Sequence, residues 1–233
     1  MSWVHEHRFP DALALARALS GELKVDLEEA IAARGTASLV VSGGRTPAKL
    51  FEQLRQEALD WPAVWITLAD ERWVETGSPD SNERFVRETL LRGPAARAHF
   101  VGLKNPAPNP RAGADWAKRA LTRMPRPFDV VVLGMGEDGH TASLFPGSDA
   151  IPEGLDATAA PACIAVNAPA APYARISLNL AALLDARRIV LHIEGDAKWQ
   201  VYRRARQPGP AAELPVRAVL HQQVVPVDVF WAA

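Results

Sequence analysis

The sequence predicts an α/β fold: a doubly wound, mainly parallel β-sheet with helices on both faces. Short, continuous apolar runs alternate along the chain with longer stretches of helical period, which is typical of parallel strands buried on both faces. No low-complexity linker divides the 233 residues, and a chain of this length can form one sizeable core. We therefore expect a single domain over residues 1–233.

The first predicted element is a long helix over residues 11–34, which is rich in Ala, Leu and Glu. Gly35 is suited to end it, because glycine readily adopts the left-handed backbone that follows many helices. A strand over 38–41 comes next. It leads to a helix near Pro47, with Thr46 as the expected cap and Pro47 at the first helical position.

The alternation continues through the rest of the chain. Residues 129–133 form the clearest strand, because this run is short and rich in valine. Residues 70–80 are expected to form a charged loop before a helix that begins at Ser81 or Asn82. The other expected strands are 64–68, 163–166, 175–178, 188–193 and 227–231; the other expected helices are 114–124, 180–184 and 198–205, with an irregular connection at 105–110. This order predicts a Rossmann-like sheet.

Composition and charge exclude several classes of protein. The formal net charge of -1 provides no overall field for a polyanion, so nucleic-acid binding is not expected. No stretch approaches the roughly 20 apolar residues that a membrane-spanning helix needs, and we expect a cytoplasmic protein. Cys163 is the only cysteine, so intrachain disulfides and cysteine-rich metal sites are excluded, and a buried structural thiol is expected.

Three unusual polar segments each follow a predicted strand. They are residues 42–47, 70–72 and 134–140. In an open parallel sheet, ligands bind outside the carboxyl ends of the strands, where such segments converge. We therefore expect one crevice to receive all three.

The first segment is suited to bind an anion. Gly43 and Gly44 allow a tight turn that exposes backbone N–H groups at a helix start, where the helix dipole favours negative charge. Ser42 and Thr46 add hydroxyl donors, and Arg45 adds a fixed cation. The segment predicts a seat for a phosphate monoester, although a plain glycine turn capped by Thr46 is an equal alternative.

The second segment contains Asp70, Glu71 and Arg72. These side chains could orient a hydroxylated ligand or stabilise a developing negative charge. A solvated charged loop is the alternative, but their position directly after a buried strand favours a pocket.

The third segment contains the spacing G-x-G-x-x-G at Gly134, Gly136 and Gly139. A dinucleotide site would require a long helix after it, whereas Pro146 and Gly147 interrupt the chain within about two turns. We therefore expect the glycines to let the backbone approach a small substrate, and we expect no nicotinamide or flavin cofactor.

His140 emerges from this loop beside Asp138. Histidine is suited to take a proton from water near neutral pH, and a carboxylate can orient the ring and stabilise its charged form. A histidine bonded only within its loop is the alternative. Ser143 follows without the G-x-S-x-G elbow of a serine hydrolase and is interpreted as structural. The other histidines, His5, His7, His99, His192 and His221, are weaker candidates.

Together these segments resemble the 6-phosphogluconolactonase family, within a larger group that includes glucosamine-6-phosphate isomerase. The resemblance spans nearly the whole chain. It rests on Ser-Gly-Gly-Arg-Thr-Pro at 42–47, Asp-Glu-Arg-Trp-Val at 70–74, Ser81-Asn82, Gly-Asp-Ala-Lys at 195–198, and the long segment Gly-Met-Gly-Glu-Asp-Gly-His-Thr-Ala-Ser-Leu-Phe-Pro at 134–146. The isomerases carry a glutamate where this chain has Phe145, which favours hydrolysis. Arg45 departs from the serine that is frequent in the family.

The resemblance implies hydrolysis of 6-phospho-D-glucono-1,5-lactone to 6-phospho-D-gluconate in the oxidative pentose phosphate pathway. It implies that His140 activates water, with Asp138 holding the imidazole and Arg72 or backbone N–H groups stabilising the oxyanion. Phosphate would lie on residues 42–46 with Lys198, and Asp70, Gly136 and Gly139 would also contact substrate. No metal or organic cofactor is implied.

Two other functions remain open at this point. One is an aldose-ketose isomerase or deaminase acting on a sugar phosphate, to which the missing glutamate is the main objection. The other is a non-catalytic sugar-phosphate sensor, which would need an output module; no helix-turn-helix or basic segment is apparent. The sequence does not distinguish a monomer from a small homo-oligomer.

Overall fold

A computed structural model describes residues 3–167 and 172–233 of the chain. The strands are β1 (Val4–Phe9), β2 (Ala37–Val41), β3 (Val64–Leu68), β4 (Asp70–Arg72), β5 (His99–Val101), β6 (Phe128–Leu133), β7 (Cys163–Asn167), β8 (Ala174–Leu178), β9 (Ala186–Glu194) and β10 (Val227–Ala232). The α-helices are α1 (Ala12–Arg34), α2 (Ala48–Leu54), α3 (Asn82–Thr89), α4 (Pro110–Leu121), α5 (Ile151–Gly154), α6 (Leu180–Leu184), α7 (Asp196–Ala205) and α8 (Val216–Leu220). Short 3-10 helices cover Trp61–Ala63 and Gly93–Arg97.

Seven of the strands form a parallel sheet in the order β1-β10-β9-β6-β2-β3-β5. Its central strands β2 and β6 are buried along their whole length, as their mostly apolar sequences predict. The predicted α/β fold with a mainly parallel sheet is confirmed. The order brings the carboxyl ends of β2, β6 and β9 to one edge of the sheet, and these three ends carry most of the site described below.

A second, antiparallel sheet of three strands, β4-β8-β7, was not predicted. The strands expected at 163–166 and 175–178 exist, but they pair with each other and with residues 70–72 instead of joining the parallel sheet. The expectation that 70–80 is entirely a loop is therefore wrong at its start. Strand β4 has three residues, too few for an apolar alternation that the sequence could reveal.

The ends of helix α1 match the prediction. The Asp11 side chain accepts hydrogen bonds from the backbone N–H groups of Leu13 and Ala14, and Gly35 follows with a left-handed φ of 77°. The cap predicted for α2 is wrong, because Pro47 itself occupies the cap position and the helix begins at Ala48.

Strand β1 was not predicted from the sequence. It lies at the edge of the parallel sheet beside β10, and only Val4 within it is fully buried. A strand with one solvated face and mostly polar residues has little apolar signal. Helix α4 also begins earlier than expected, at Pro110, where the Asn109 side chain caps it by accepting from Ala112 N–H.

Cys163 is a buried free thiol, and burial raises its pKa to about 12, as a structural cysteine requires. Among the helices of the described ranges, none is both long and apolar enough to cross a membrane.

Candidate active site

A cavity of about 320 Å³ opens at the carboxyl ends of β2, β6 and β9. This volume suits a small ligand. Its lining comes from both sheets and consists of residues 42–47, Asp70, Arg72, Asn82, residues 132–136, His140, Ala142, Arg175, His192 and Lys198. The glycine loop and His140 therefore face the same cavity, which is the arrangement on which the sequence-based mechanism depends.

The glycine loop, residues 42–47, is anchored to the neighbouring strand. Backbone N–H and hydroxyl of Ser42 both donate to the carbonyl of Val132, at 3.1 and 3.2 Å. Gly44 has a φ of +94°, a conformation that disfavours any side chain. A Cβ on Gly43 would lie 2.0 Å from Asn82 Oδ1, so this glycine is needed for close packing against the start of α3.

Lys198 lies beside the glycine loop. Its Nζ is 3.4 Å from Thr46 Oγ1, so the Thr46 hydroxyl faces the lysine instead of capping α2 as expected. Burial lowers the pKa of Lys198, and the carboxylates of Glu137 and Glu194 partly offset this effect. An incoming phosphate would give this half-buried ammonium group a closer anionic partner.

His140 and Asp138 form a tight pair. His140 Nδ1 is 2.6 Å from Asp138 Oδ1, and the backbone N–H of His140 donates to the same oxygen at 3.1 Å. Burial by itself would raise the pKa of Asp138, but the hydrogen bond and charge of His140 outweigh burial and hold this pKa below its usual range. The carboxylate thus stays ionised and can orient the imidazole from behind.

The glycines at 136 and 139 allow close packing of side chains against the loop backbone. A Cβ on Gly136 would lie 2.2 Å from His140 Nδ1, so the ring occupies the space that a side chain would fill. Gly139, with a φ of +79°, packs against Leu214, where a Cβ would lie 2.5 Å from a methyl carbon. The cavity lining includes Gly136 and, within the described residues, does not include Gly139, so the contact predicted between Gly139 and substrate stays a prediction.

The residues of β4 separate into two groups. Asp70 and Arg72 line the cavity. Glu71 is fully buried and accepts hydrogen bonds from the backbone of Asn82 and Glu83 and from the Ser81 hydroxyl, at 2.7 to 3.0 Å. Burial raises the pKa of Glu71, but these donors partly offset it. Glu71 therefore secures the start of α3 and is not placed to orient a ligand.

Ser143 connects the two sheets, in agreement with a structural role. Its hydroxyl donates to Asp70 Oδ2, and its backbone N–H donates to Ser177 Oγ on β8 at 3.2 Å. The preceding residue, Ala142, has a φ of 48° and lines the cavity, so the chain adopts a strained turn two residues after His140.

Three polar side chains of the cavity were absent from the predicted site: Asn82, Arg175 and His192. His192 lies near the carboxyl end of β9, and its Nε2 is 3.3 Å from Glu194 Oε1. The sequence signal that could have identified His192 was its position near the end of the strand predicted at 188–193. Arg175 comes from β8, and nothing in the local sequence indicates that this strand borders the cavity.

In the part of the chain that the structure describes, no three His, Cys, Asp or Glu side chains are grouped so that they could hold a metal ion. The polar side chains that line the cavity include four cations, one carboxylate, one amide, two hydroxyls and two imidazoles: Arg45, Arg72, Arg175, Lys198, Asp70, Asn82, Ser42, Thr46, His140 and His192.

The sequence matches a family described as glucosamine-6-phosphate isomerases/6-phosphogluconolactonase over residues 10–231. A 6-phosphogluconolactonase of Pseudomonas putida is 44% identical, over 98% of this chain and 93% of that protein. A 6-phosphogluconolactonase of Mesorhizobium japonicum is 46% identical, over 96% of this chain and 93% of that protein.

Solved structures agree. The crystal structure of a 6-phosphogluconolactonase from Shewanella baltica superposes with a TM-score of 0.95 and 49% identity, covering 99% of this chain and 98% of that chain. A monomeric glucosamine-6-phosphate deaminase superposes with a TM-score of 0.78 at 17% identity, covering 97% and 96% of the two chains. This second similarity is one of fold alone, so the fold by itself does not distinguish the two reactions.

Proposed function

This chain belongs to the family of glucosamine-6-phosphate isomerases and 6-phosphogluconolactonases, and we propose that it hydrolyses 6-phospho-D-glucono-1,5-lactone to 6-phospho-D-gluconate. This is a hydrolytic step of the oxidative pentose phosphate pathway. The observation that carries the proposal is the shared cavity, in which a histidine backed by a carboxylate faces a glycine loop flanked by cations.

The chemistry begins with a water molecule on the open side of the His140 ring. Because Nδ1 is bonded to Asp138, Nε2 is the nitrogen that takes the proton as water attacks the lactone carbonyl carbon. The tetrahedral oxyanion is stabilised by Arg72 or by backbone N–H groups of the cavity. Collapse breaks the bond from the carbonyl carbon to the ring oxygen, and His140 returns its proton to that oxygen.

The phosphate holds the far end of the substrate. Backbone N–H groups of residues 42–46, the Thr46 hydroxyl and the Lys198 ammonium provide donors and charge for it. Anchoring this end fixes the carbonyl relative to His140 and reduces the entropy cost of the reaction. Asp70 would contact the sugar hydroxyls.

Phe145 favours hydrolysis over isomerisation. Its ring centroid lies 4.3 Å from that of His140. An isomerase must open a sugar ring and move protons between adjacent carbons, for which a carboxyl group at this position is suited; a phenyl ring cannot transfer a proton. A lactonase needs only the activated water and the oxyanion donors.

The test is a coupled assay on freshly generated lactone, in which 6-phosphogluconate is oxidised by its dehydrogenase and the spontaneous rate is subtracted. We expect turnover far above that rate, and no ketose product from glucosamine 6-phosphate. Turnover of the amino sugar alone would favour the isomerase, and binding of the phosphorylated ligand without turnover of either would favour a sensor.

We further propose a single domain over residues 1–233, a cytoplasmic location, no nucleic-acid partner, and a monomer or small homo-oligomer. The two sheets bury one continuous set of apolar side chains, which supports the assignment of a single domain. Analytical ultracentrifugation of the purified protein would test the oligomeric state.

A further inference from the structure

Two arginines face each other across the antiparallel sheet. Arg72 on β4 and Arg175 on β8 are direct partners in the strand register, and both line the cavity. Like charges placed directly opposite each other destabilise a sheet. Because Arg72 and Arg175 also border the cavity, both guanidinium groups are available to bind an anionic group of the ligand.

The Arg175 guanidinium is buried but incompletely paired. The residue is only 8% exposed, and its Nε has no hydrogen-bond partner among the described residues. Its Nη1 lies 3.9 Å from Asp70 Oδ2, which is an ion-pair distance but too long for a hydrogen bond. That carboxylate oxygen already accepts the Ser143 hydroxyl.

Arg72 is also incompletely paired. Its Nη1 donates to the carbonyl of Asp80 at 2.7 Å, while its buried Nε has no partner within the described ranges. Burial lowers the pKa of Arg175, and the nearby charge of Arg72 lowers it further, against the attraction of Asp70. The two guanidinium groups thus repel each other, and an anionic ligand placed between them would relieve this repulsion.

Arg175 belongs to the His140 side of the cavity. Phe145 contacts both groups: its ring centroid is 4.3 Å from that of His140 and 5.4 Å from Arg175 Cζ. Lys198, in contrast, approaches Thr46 of the glycine loop. These two cations of the cavity therefore lie at different places. Arg175 lies near the base, His140, and Lys198 lies beside the phosphate seat, which is the glycine loop of residues 42–47.

We propose that Arg175, together with Arg72, binds the carboxylate that lactone hydrolysis creates, and the oxyanion that precedes it. This inference rests on the proposed function. The lactone has one anionic group, its phosphate; water addition places negative charge on the carbonyl oxygen, and cleavage of the ring ester leaves a carboxylate. Paired guanidinium N–H groups match such an anion, and their contact strengthens as the reaction proceeds.

The test compares two ligands that differ only at that group. In 6-phosphogluconate one end is a carboxylate, whereas sorbitol 6-phosphate carries a CH2OH group there and the same phosphate. Titration calorimetry measures both on the wild type and on Arg175→Met. We expect the variant to bind 6-phosphogluconate about 10- to 100-fold more weakly, the usual size of hydrogen bonds to charged groups. Its affinity for sorbitol 6-phosphate should change by less than about threefold.

Three variants complete the design. Arg123→Met removes an arginine outside the cavity lining and should leave both affinities unchanged. Arg175→Lys keeps the charge without the planar fork and should lose part of the preference for the carboxylate, so the test stands even if Arg175→Met does not fold. Lys198→Ala should weaken both ligands to a similar degree.

Equal weakening of both ligands by Arg175→Met would overturn the assignment, because Arg175 would then hold phosphate. An unchanged preference in Arg175→Met and Arg175→Lys would overturn it too. An active wild type that binds the two ligands equally would refute this inference alone, whereas a wild type that neither binds 6-phosphogluconate nor hydrolyses the lactone would refute the proposed function with it.

Discussion

The cavity has two walls of different origin. The parallel wall consists of residues 42–47, residues 134–136, His140, His192 and Lys198, which lie on or after strands β2, β6 and β9 of the parallel sheet. The antiparallel wall consists of Asp70, Arg72 and Arg175, which lie on β4 and β8. Sequence analysis identified the parallel wall except for His192, and it missed Arg175 in the antiparallel wall. Strand ends of a parallel sheet converge by topology, whereas the partner of a short antiparallel strand is chosen by tertiary packing.

The walls also differ in chemistry. The parallel wall carries the His140–Asp138 pair and the phosphate seat, and the antiparallel wall carries two facing arginines with one carboxylate. The variants below separate the contributions of the two walls and of the contact between them.

The largest effect is expected at the base in the parallel wall. His140→Ala should lower kcat about 10² to 10⁴-fold, the usual contribution of a general base, because water then lacks its proton acceptor. The coupled lactone assay measures this loss. His221→Ala, at an exposed site on the C-terminal side of α8, is the matched control and should retain full turnover.

Retention of full activity by a folded His140→Ala protein would exclude the proposed mechanism. Binding of 6-phosphogluconate should survive in this variant, since the phosphate seat and the antiparallel wall remain.

Lys198→Ala tests the phosphate seat of the same wall. We expect KM for the lactone to rise about 10- to 100-fold with kcat nearly unchanged, because a contact to phosphate is equally strong in the ground state and the transition state. Lys24→Ala on α1, which removes an ammonium group paired with Glu28 on the same helix, should leave both constants unchanged. A fall in kcat at constant KM would show that Lys198 acts on the reacting carbonyl.

Asp138→Asn tests the carboxylate that is hydrogen-bonded to the base, His140. The amide can still accept a hydrogen bond, but it cannot stabilise the imidazolium, so kcat should fall about 10- to 100-fold with little change in KM. An unchanged kcat would mean that Asp138 only shapes the loop.

The same substitution has a pH signature in stability. The pKa of Asp138 is lower in the folded protein than in the unfolded chain, so its carboxylate stabilises the fold above the usual aspartate range. This stabilisation is lost as the pH falls through the folded pKa. Urea unfolding should therefore show a difference between wild type and Asp138→Asn near neutral pH that shrinks below about pH 4. A difference independent of pH would contradict the ion pair.

Gly43→Ala tests the contact between the glycine loop and Asn82. The new Cβ would overlap Asn82 Oδ1, so we expect a loss of about 1 to 3 kcal/mol in the free energy of unfolding and a higher KM. Gly21→Ala is the matched control: it lies in α1 with no atom within 4 Å of the new Cβ and should be neutral or stabilising by up to about 1 kcal/mol.

The double variant Gly43→Ala/Asn82→Gly removes the overlapping side chain, so the two substitutions should be less destabilising together than the sum of their separate effects. Strict additivity would show that the loop and α3 move apart freely, so the contact between Gly43 and Asn82 would not hold the glycine loop in place.

The sequence by itself determined the α/β fold, most strands of the parallel sheet, the long helix α1 with both of its ends, and the segments of the parallel wall. Each of these depends on local signals: apolar periodicity, a composition that favours helix, a terminating Gly35, and motifs placed at strand ends. Such signals need only a few neighbouring residues, and sheet topology then brings the strand ends together.

Tertiary structure alone decided the second sheet, the capping role of Glu71 and the register that sets Arg72 opposite Arg175. A polar residue has the same local sequence whether it faces solvent, a helix end or a cavity. Its burial and partners are fixed only when strands more than 100 residues apart in the chain pair, as residue 72 pairs with residue 175. Within the antiparallel wall the sequence therefore indicated Asp70 and Arg72, whereas the place of Arg175 became apparent only from the packing of the two sheets.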